Sequence, residues 1–167
     1  MLRRFLVAPR RTGAVAPSSR ALARRLADLA FRGDPRVVVE IGAGAGAVTR
    51  ELAARAEASG ARLLAVELDA RLARRIDHGL AARAHAAWLP VQRADVVVSG
   101  IPFASLPRAE ADAILREAAR VAPRIVLFQY TRRRLALVEE HFPRVRRRER
   151  VAWNLPPALA IEATLTA

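Results

Sequence analysis

Short apolar runs alternate along the chain with longer stretches of helical periodicity. The runs at 37–39, 63–66, 96–98 and 125–130 predict buried strands, because β-branched and other apolar residues follow one another there without polar interruption. Leu22, Leu26 and Leu29 recur at helical spacing after a start signal at Pro17-Ser18-Ser19. Similar spacing predicts helices over 48–58, 70–85, 110–121 and 135–141. The tail predicts two strands, 150–155 and 159–165, around a pair of prolines.

This order of elements predicts a doubly wound α/β fold. Strands that alternate with helices form a mostly parallel sheet, and a final strand pair without an intervening helix implies an antiparallel C-terminal edge. We expect two regions along the chain, a basic amphipathic segment with a helix over 1–32 and the main domain over 33–167.

The amino-acid composition gives the chain a strong positive charge and excludes several kinds of functional site. The net charge of +13 is carried entirely by Arg, which predicts attraction to polyanions, either nucleic acid or an anionic lipid surface. Cysteine is absent, so disulfides, thiolate zinc sites and cysteine nucleophiles are excluded. Three scattered His residues have no metal-ligand spacing, and we expect no metal site. No apolar run approaches the ~20 residues that span a bilayer.

A glycine-rich turn follows the first predicted strand and opens a helix. Glycines at such a turn let the backbone approach a nucleotide closely. The turn by itself is also compatible with dinucleotide binding, which would place a pyrophosphate at the helix N-terminus. The residues expected to form the turn are Gly42, Ala43, Gly44 and Gly46.

Two acids beside the turn favour a cationic ligand. Glu40 precedes the first glycine and would repel phosphate oxygens, whereas it would attract an ammonium or a sulfonium. Glu67 ends the next strand, where a carboxylate accepts hydrogen bonds from both ribose hydroxyls of a nucleoside. The alternative is structural, with Glu40 as a helix cap and Glu67 as a solvated strand end. The cationic reading predicts S-adenosylmethionine as the cofactor.

With these residues the chain resembles class I S-adenosylmethionine-dependent methyltransferases. Within that class it is similar to bacterial phospholipid N-methyltransferases, which methylate phosphatidylethanolamine stepwise toward phosphatidylcholine. The stretches that carry the resemblance begin with Thr12-Gly-Ala-Val-Ala-Pro-Ser-Ser and Val39-Glu-Ile-Gly-Ala-Gly-Ala-Gly, and continue with Val66-Glu-Leu, Val98-Ser-Gly-Ile-Pro-Phe, Phe128-Gln-Tyr and Val151-Ala-Trp-Asn-Leu-Pro-Pro-Ala.

Two features differ from that family. Its members carry an acid after the third strand that binds the adenine amino group, but residues 80–94 contain no Asp or Glu. The usual Pro-Gly-Gly hairpin is also missing between 121 and 125. We therefore expect the third strand to be shortened or absent.

The resemblance implies the remaining site residues. Leu68, Ser99 and Gly100 are expected at the cofactor, and Ser99 and Tyr130 are expected to act on the acceptor amine. The expected substrate-binding residues are Ile101, Pro102, Phe103, Tyr130, Arg132, Trp153 and Asn154. The aromatic rings among them could surround a methylated cation, and packing in the core is the alternative for each ring.

The N-terminal segment suits a lipid headgroup layer, because basic and apolar residues interleave there. Its membrane-binding residues are expected to be Arg3, Arg4, Phe5, Arg10 and Arg11. We expect a monomer in the cytoplasm at the inner face of the cell membrane, with anionic lipid and the phospholipid substrate as partners. The alternatives are an RNA or DNA base methyltransferase, which would have nucleic acid as its partner, and a catalytically silent membrane-binding relative.

Overall fold

The computed structural model describes residues 18–76, 81–83 and 85–166. It contains five α-helices, one short 3-10 helix at Phe103–Ser105 and seven strands among these residues. The helices are α1 Arg20–Ala30, α2 Ala47–Ser59, α3 Ala70–Ala73, α4 Arg108–Val121 and α5 Leu135–His141. The strands are β1 Val37–Ile41, β2 Arg62–Glu67, β3 Ala81–Arg83, β4 Val96–Ser99, β5 Arg124–Gln129, β6 Arg144–Val151 and β7 Ala158–Thr164. The expected membrane residues from Arg3 to Arg11 lie outside the described part.

The strands form one sheet in the order β3-β2-β1-β4-β5-β7-β6. The first five strands of this order are parallel, and β7 is antiparallel to both of its neighbours. This confirms the doubly wound α/β fold with an antiparallel C-terminal edge. The third strand is shortened to three residues, as expected.

Apolar side chains alternate between the two faces of the sheet. Those of Val38 and Val98 pack on one face with α1 and α2, and those of Val39 and Val97 pack on the other with α4 and α5. Leu22, Leu26 and Leu29 are fully buried, so the face of α1 predicted from the sequence is the one that meets the sheet. The Ser19 hydroxyl begins α1 by accepting from the Leu22 N–H.

Two predicted elements were wrong at the edges of the sheet. The predicted helix over 70–85 ends at Ala73, and the chain instead supplies β3, which pairs with β2. Pairing with an open strand edge thus outweighs helix propensity there. The sixth strand runs over Arg144–Val151 and not over 150–155. Only Val151 of that strand is buried, so the apolar pattern gave no signal for it.

One buried ion pair ties α1 to the sheet. The Arg124 guanidinium donates to the carbonyl oxygens of Leu29 and Ala30 at 3.2 and 2.6 Å, and to the Glu162 carboxylate at 3.1 Å. The guanidinium therefore provides hydrogen-bond donors for carbonyl oxygens in the last turn of α1, and it neutralises the buried carboxylate of Glu162 on β7. None of the helices in the described ranges is long and apolar enough to cross a bilayer.

We expect Arg124→Ala to lower the free energy of unfolding by about 3 kcal/mol, because it leaves Glu162 buried with only Arg147 nearby, at 3.6 Å. Arg20→Ala is the control, since Arg20 is 78% exposed and lies 3.8 Å from Glu51. We expect it to change stability by less than about 0.5 kcal/mol. Urea denaturation measures both, and an equal effect of the two changes would contradict the role given to Arg124.

Candidate functional site

The glycine turn lies where the order of the strands reverses. The chain leaves β1 toward β2 on one side, while β4 lies on the other, so the connections that follow β1 and β4 leave the sheet in opposite directions at this point. Open α/β sheets bind their ligands in this crevice. The turn is tied to β2 by the Gly42 N–H, which donates to the Val66 carbonyl at 2.9 Å, and the β4 turn is tied back by the Gly100 N–H to Ile41 at 2.8 Å.

The two turns approach each other so closely that side chains are excluded. A Cβ on Gly100 would lie 2.4 Å from the Gly42 carbonyl oxygen, and a Cβ on Gly42 would lie 2.3 Å from Cγ1 of Ile101. Gly42 also has a φ of +70°, which residues with a side chain rarely adopt. The sequence motif is therefore required by the packing of β1 against β4 as well as by any ligand.

Glu67 holds the turn in place. One carboxylate oxygen accepts from the Gly44 N–H at 2.7 Å, and the other accepts from the Asp69 N–H at 2.9 Å. The side chain is 3% exposed, so it is not the solvated strand end of the structural alternative. Each oxygen keeps a free lone pair, which leaves the carboxylate able to accept from ribose hydroxyls as well.

Glu40 is buried without a hydrogen-bond partner. It is fully inaccessible, and neither carboxylate oxygen has a partner among the described residues. Burial raises the pKa of Glu40 to about 7. The nearby Thr49 hydroxyl lowers this pKa in part, without reaching hydrogen-bond geometry, and the Glu67 carboxylate raises it further. Glu40 also does not cap α2, because Gly46 is the residue at that position.

Cavities lie on both sides of Gly42. One, of about 190 Å³, is lined by Glu40, the glycine turn, Ser18, Gly100, Pro102 and Phe128, and we call it the Glu40 cavity. The other, of about 40 Å³, is lined by Gly42, Val66, Glu67, Leu68, His85, Ala86, Ile101, Leu106, Glu110 and Ile114, and we call it the Leu68 cavity. The Leu68 cavity has room for about three water molecules, which is less than the volume of a nucleobase.

A larger open cavity, of about 730 Å³, lies at the opposite end of the sheet. It is lined by residues near the amino ends of β1 and β5, among them Arg36 and Arg124, and by Glu162. None of the residues of the glycine turn lines it. Ligand sites of open parallel sheets lie at the carboxyl ends, so the two smaller cavities define the candidate site.

Ser99 and Tyr130 differ in how far their hydroxyls are engaged. The Ser99 hydroxyl is fully buried and bonds to the Ile101 backbone in both directions, donating to its carbonyl at 3.3 Å and accepting from its N–H at 3.1 Å. The Tyr130 hydroxyl is buried, and within the described ranges it has no hydrogen-bond partner. Burial raises the pKa of Tyr130, and the nearby Asn154 side chain partly offsets this. The Tyr130 ring packs edge-on against Phe128, with centroids 5.2 Å apart.

The predicted substrate residues are dispersed. Pro102 reaches the Glu40 cavity, whereas Phe103 is fully buried in the core, as its packing alternative expects. Arg132 is exposed beyond β5, and Trp153 is 86% exposed on the β6–β7 loop. Asn154 is buried, and it accepts from the Ser19 N–H and donates to the Pro156 carbonyl, so it joins that loop to the start of α1.

Several lining residues were missed as site residues in the sequence, among them Phe128, Ser18, His85 and Glu110. Phe128 shares a sheet face with Val126, which the two-residue period of β5 could have indicated, and Ser18 belongs to the Pro-Ser-Ser start signal. His85 and Glu110 line the Leu68 cavity from the segment after β3 and from α4. The positions of His85 and Glu110 at the cavity depend on how elements that are distant in the sequence pack together, which no local sequence pattern indicates.

No family model matches the chain, and the comparison with curated proteins gives no match. Solved structures do match. The magnesium protoporphyrin IX methyltransferase of Synechocystis PCC 6803 with bound S-adenosylmethionine aligns over 85% of this chain and 76% of its own, with a TM-score of 0.68 and 18% identity. The chain has a methyltransferase fold. A Burkholderia thailandensis 1,6-didemethyltoxoflavin-N1-methyltransferase, bound to 1,6-didemethyltoxoflavin and S-adenosylhomocysteine, aligns over 87% of this chain and 78% of its own, with a TM-score of 0.66 and 20% identity.

We expect Gly42→Ala to destabilise the protein more than Gly60→Ala. Both glycines have a φ of +70°, so the backbone strain of about 1–3 kcal/mol is common to the two changes. Only at position 42 does the new methyl group meet another side chain, that of Ile101, because the space around Gly60 is open. Thermal unfolding measures the difference, and adding Ile101→Ala should remove part of it. Equal destabilisation at the two positions would contradict the close crossing.

Proposed function

We propose that the protein is an S-adenosylmethionine-dependent methyltransferase. The observation that carries this proposal is Glu40, a carboxylate at a cavity lined by the glycine turn, whose two oxygens have no partner among the residues that the structure describes. A buried carboxylate without a partner costs several kcal/mol unless a cation or a proton neutralises it. The fold, which is shared with proteins solved with S-adenosylmethionine or S-adenosylhomocysteine, agrees with a cationic nucleoside as that partner.

The residues present fit this cofactor. Glu40 would accept from its ammonium group, Glu67 would accept from the ribose hydroxyls, and Leu68 and Ile101 would flank the base. When bound, the cofactor supplies the methyl group that is transferred. A dinucleotide fits less well, because the Glu40 carboxylate at the same cavity would repel a pyrophosphate.

We expect the affinity for S-adenosylhomocysteine to fall about tenfold when the pH is lowered from 8 to 6. The pKa of Glu40 is about 7 in the ligand-free protein, so the carboxylate is mostly ionised at the higher pH and mostly protonated at the lower one. Only the ionised form attracts the ammonium group, so binding near pH 6 releases a proton. Titration calorimetry in two buffers of different ionisation enthalpy measures both quantities.

Glu40→Gln is the matched control, because the amide preserves the shape of the side chain and has no charge to titrate. We expect it to bind more weakly at pH 8 and with little dependence on pH. If this variant keeps the pH dependence of the original protein, the ammonium is not bound by Glu40.

We further propose that the acceptor is the amine of phosphatidylethanolamine and of its methylated derivatives. An amine must be neutral and free of water to attack a methyl carbon, and the apolar side chains of Pro102 and Phe128 at the Glu40 cavity favour such a dry site. The Ser99 hydroxyl is fully buried and bonded to the Ile101 backbone, so it holds the turn that brings Pro102 to the cavity. Phe128, backed by Tyr130, offers an aromatic face to the cation that each methylation produces.

Exposed apolar side chains at the rim of the site support a lipid surface as the place of the reaction. Trp153 and Leu155 on the β6–β7 loop are 86% and 82% exposed. This loop lies at the carboxyl edge of the parallel strands, because β6 and β5 are both antiparallel to β7. Tryptophan is favoured at membrane interfaces. The basic N-terminal residues would add attraction to anionic lipid at the inner face of the cell membrane.

We expect the protein to transfer label from methyl-labelled S-adenosylmethionine to phosphatidylethanolamine in vesicles that also contain anionic lipid. Trp153→Ser combined with Leu155→Ser should weaken binding to these vesicles about tenfold, because two apolar side chains no longer enter the interface. It should leave the affinity for S-adenosylhomocysteine unchanged.

The same assay distinguishes the alternatives. Label in added RNA and none in lipid would identify a base methyltransferase. Binding of S-adenosylhomocysteine without label in lipid or RNA would contradict the lipid substrate while leaving the cofactor proposal intact. Failure to bind S-adenosylhomocysteine at millimolar concentration would overturn the enzyme assignment itself.

A further inference from the structure

Two polar side chains of the Leu68 cavity keep hydrogen-bonding atoms without a partner among the residues that the structure describes. Apart from Glu67, the cavity is lined by apolar side chains and glycine, with His85 and Glu110 as the exceptions. Both are half-buried, and they come from different elements, the segment after β3 and the first turn of α4. Glu67 cannot be freed for a new partner without loosening the glycine turn, since both of its oxygens accept backbone N–H groups.

His85 presents a hydrogen-bond donor. Its Nδ1 accepts from the Ala87 N–H at 3.0 Å, which leaves the proton of the neutral ring on Nε2. None of the hydrogen bonds between described residues involves Nε2. The backbone contact at Nδ1 thus fixes both the tautomer and the position of the ring.

Glu110 presents an acceptor. It lies in the first turn of α4, where a carboxylate is favoured by the exposed N–H groups of the helix, and Pro107 at the cap provides no side-chain hydrogen bond. The Glu110 carboxylate makes no ion pair or hydrogen bond within the part of the chain that the structure describes. An ionised carboxylate only accepts.

We propose that His85 and Glu110 together recognise the adenine edge of the cofactor, with Glu110 accepting from the exocyclic amine and His85 donating from Nε2 to the adjacent ring nitrogen. This inference rests on the proposed function. An adenine edge presents a donor beside an acceptor, which a carboxylate and an imidazole N–H complement. Because residues 80–94 contain no acid, the carboxylate that reads the amine comes from α4 and not from the segment after β3.

Analogues of S-adenosylhomocysteine that each lack one polar group test the pair directly by calorimetry. One lacks the exocyclic amine, and two others replace N1 or N7 by carbon. We expect the original protein to bind the amine-free analogue at least tenfold more weakly, because the lost hydrogen bond involves a charged acceptor. Replacing the ring nitrogen that faces His85 should weaken binding about fivefold. Comparing the two carbon-substituted analogues therefore shows whether His85 faces N1 or N7.

Matched variants assign each loss to its residue. Glu110→Ala should weaken binding of S-adenosylhomocysteine, and this variant should bind S-adenosylhomocysteine and the amine-free analogue equally well. Glu57→Ala is the control, because it removes an exposed carboxylate of α2, and it should change neither affinity. His85→Asn keeps an acceptor near the position of Nδ1 for the Ala87 N–H but lacks the distal donor. His85→Gln restores a donor near the position of Nε2. We expect His85→Asn to bind the deaza analogue as well as it binds S-adenosylhomocysteine. His85→Gln should again bind the deaza analogue more weakly, although by less than the original protein does.

The outcomes separate this inference from the function on which it rests. If the original protein binds S-adenosylhomocysteine and all three analogues equally, or if Glu110→Ala still discriminates against the amine-free analogue, the pairing is wrong although the cofactor is right. If S-adenosylhomocysteine itself does not bind, the proposed function fails first. Discrimination that disappears residue by residue as described supports the pair.

Discussion

The contact between two backbone turns sets the geometry of this molecule. Gly42 and Gly100 cross at the point where the strand order reverses, with room for hydrogen atoms and for no side chain. Because the turns cannot move apart without losing the bonds that tie Gly42 to Val66 and Gly100 to Ile41, the ends of β1, β2 and β4 behave as one unit. The candidate site is therefore divided in two by a rigid backbone, with the Glu40 cavity on one side and the Leu68 cavity on the other.

The two acids that flank the turn have separate roles. Glu67 is satisfied by backbone donors and helps to form the turn even without a ligand. Glu40 gains nothing comparable from the fold, since burial disfavours its charge and no described donor compensates for this. A group that weakens the fold and lines a cavity is better explained by a ligand than by stability. The sequence alone treats these acids as an equivalent pair, and only their surroundings separate them.

The central elements and the edges of the sheet differ in how well the sequence predicts them. The runs of β1, β4 and β5 are buried on both faces, so their apolar residues are continuous and their bounds fall within a residue or two of prediction. The edge strands β3 and β6 are held mainly by backbone pairing, which many sequences can provide. Likewise, the turn and its acids form a local motif, whereas Phe128, His85 and Glu110 reach the site only through tertiary packing.

The packing of α1 has a consequence for the order in which parts of the chain fold. This helix is near the beginning of the chain, yet its apolar face rests on β5 and β7, and the residue that joins its start to the β6–β7 loop is Asn154. During synthesis α1 therefore emerges long before β5 and β7 exist, and the part of its apolar face that meets these two strands remains uncovered until the C-terminal hairpin has been made. Closure of the Glu40 cavity at Ser18 is accordingly a late event of folding, and a nascent chain must be shielded from premature association until then.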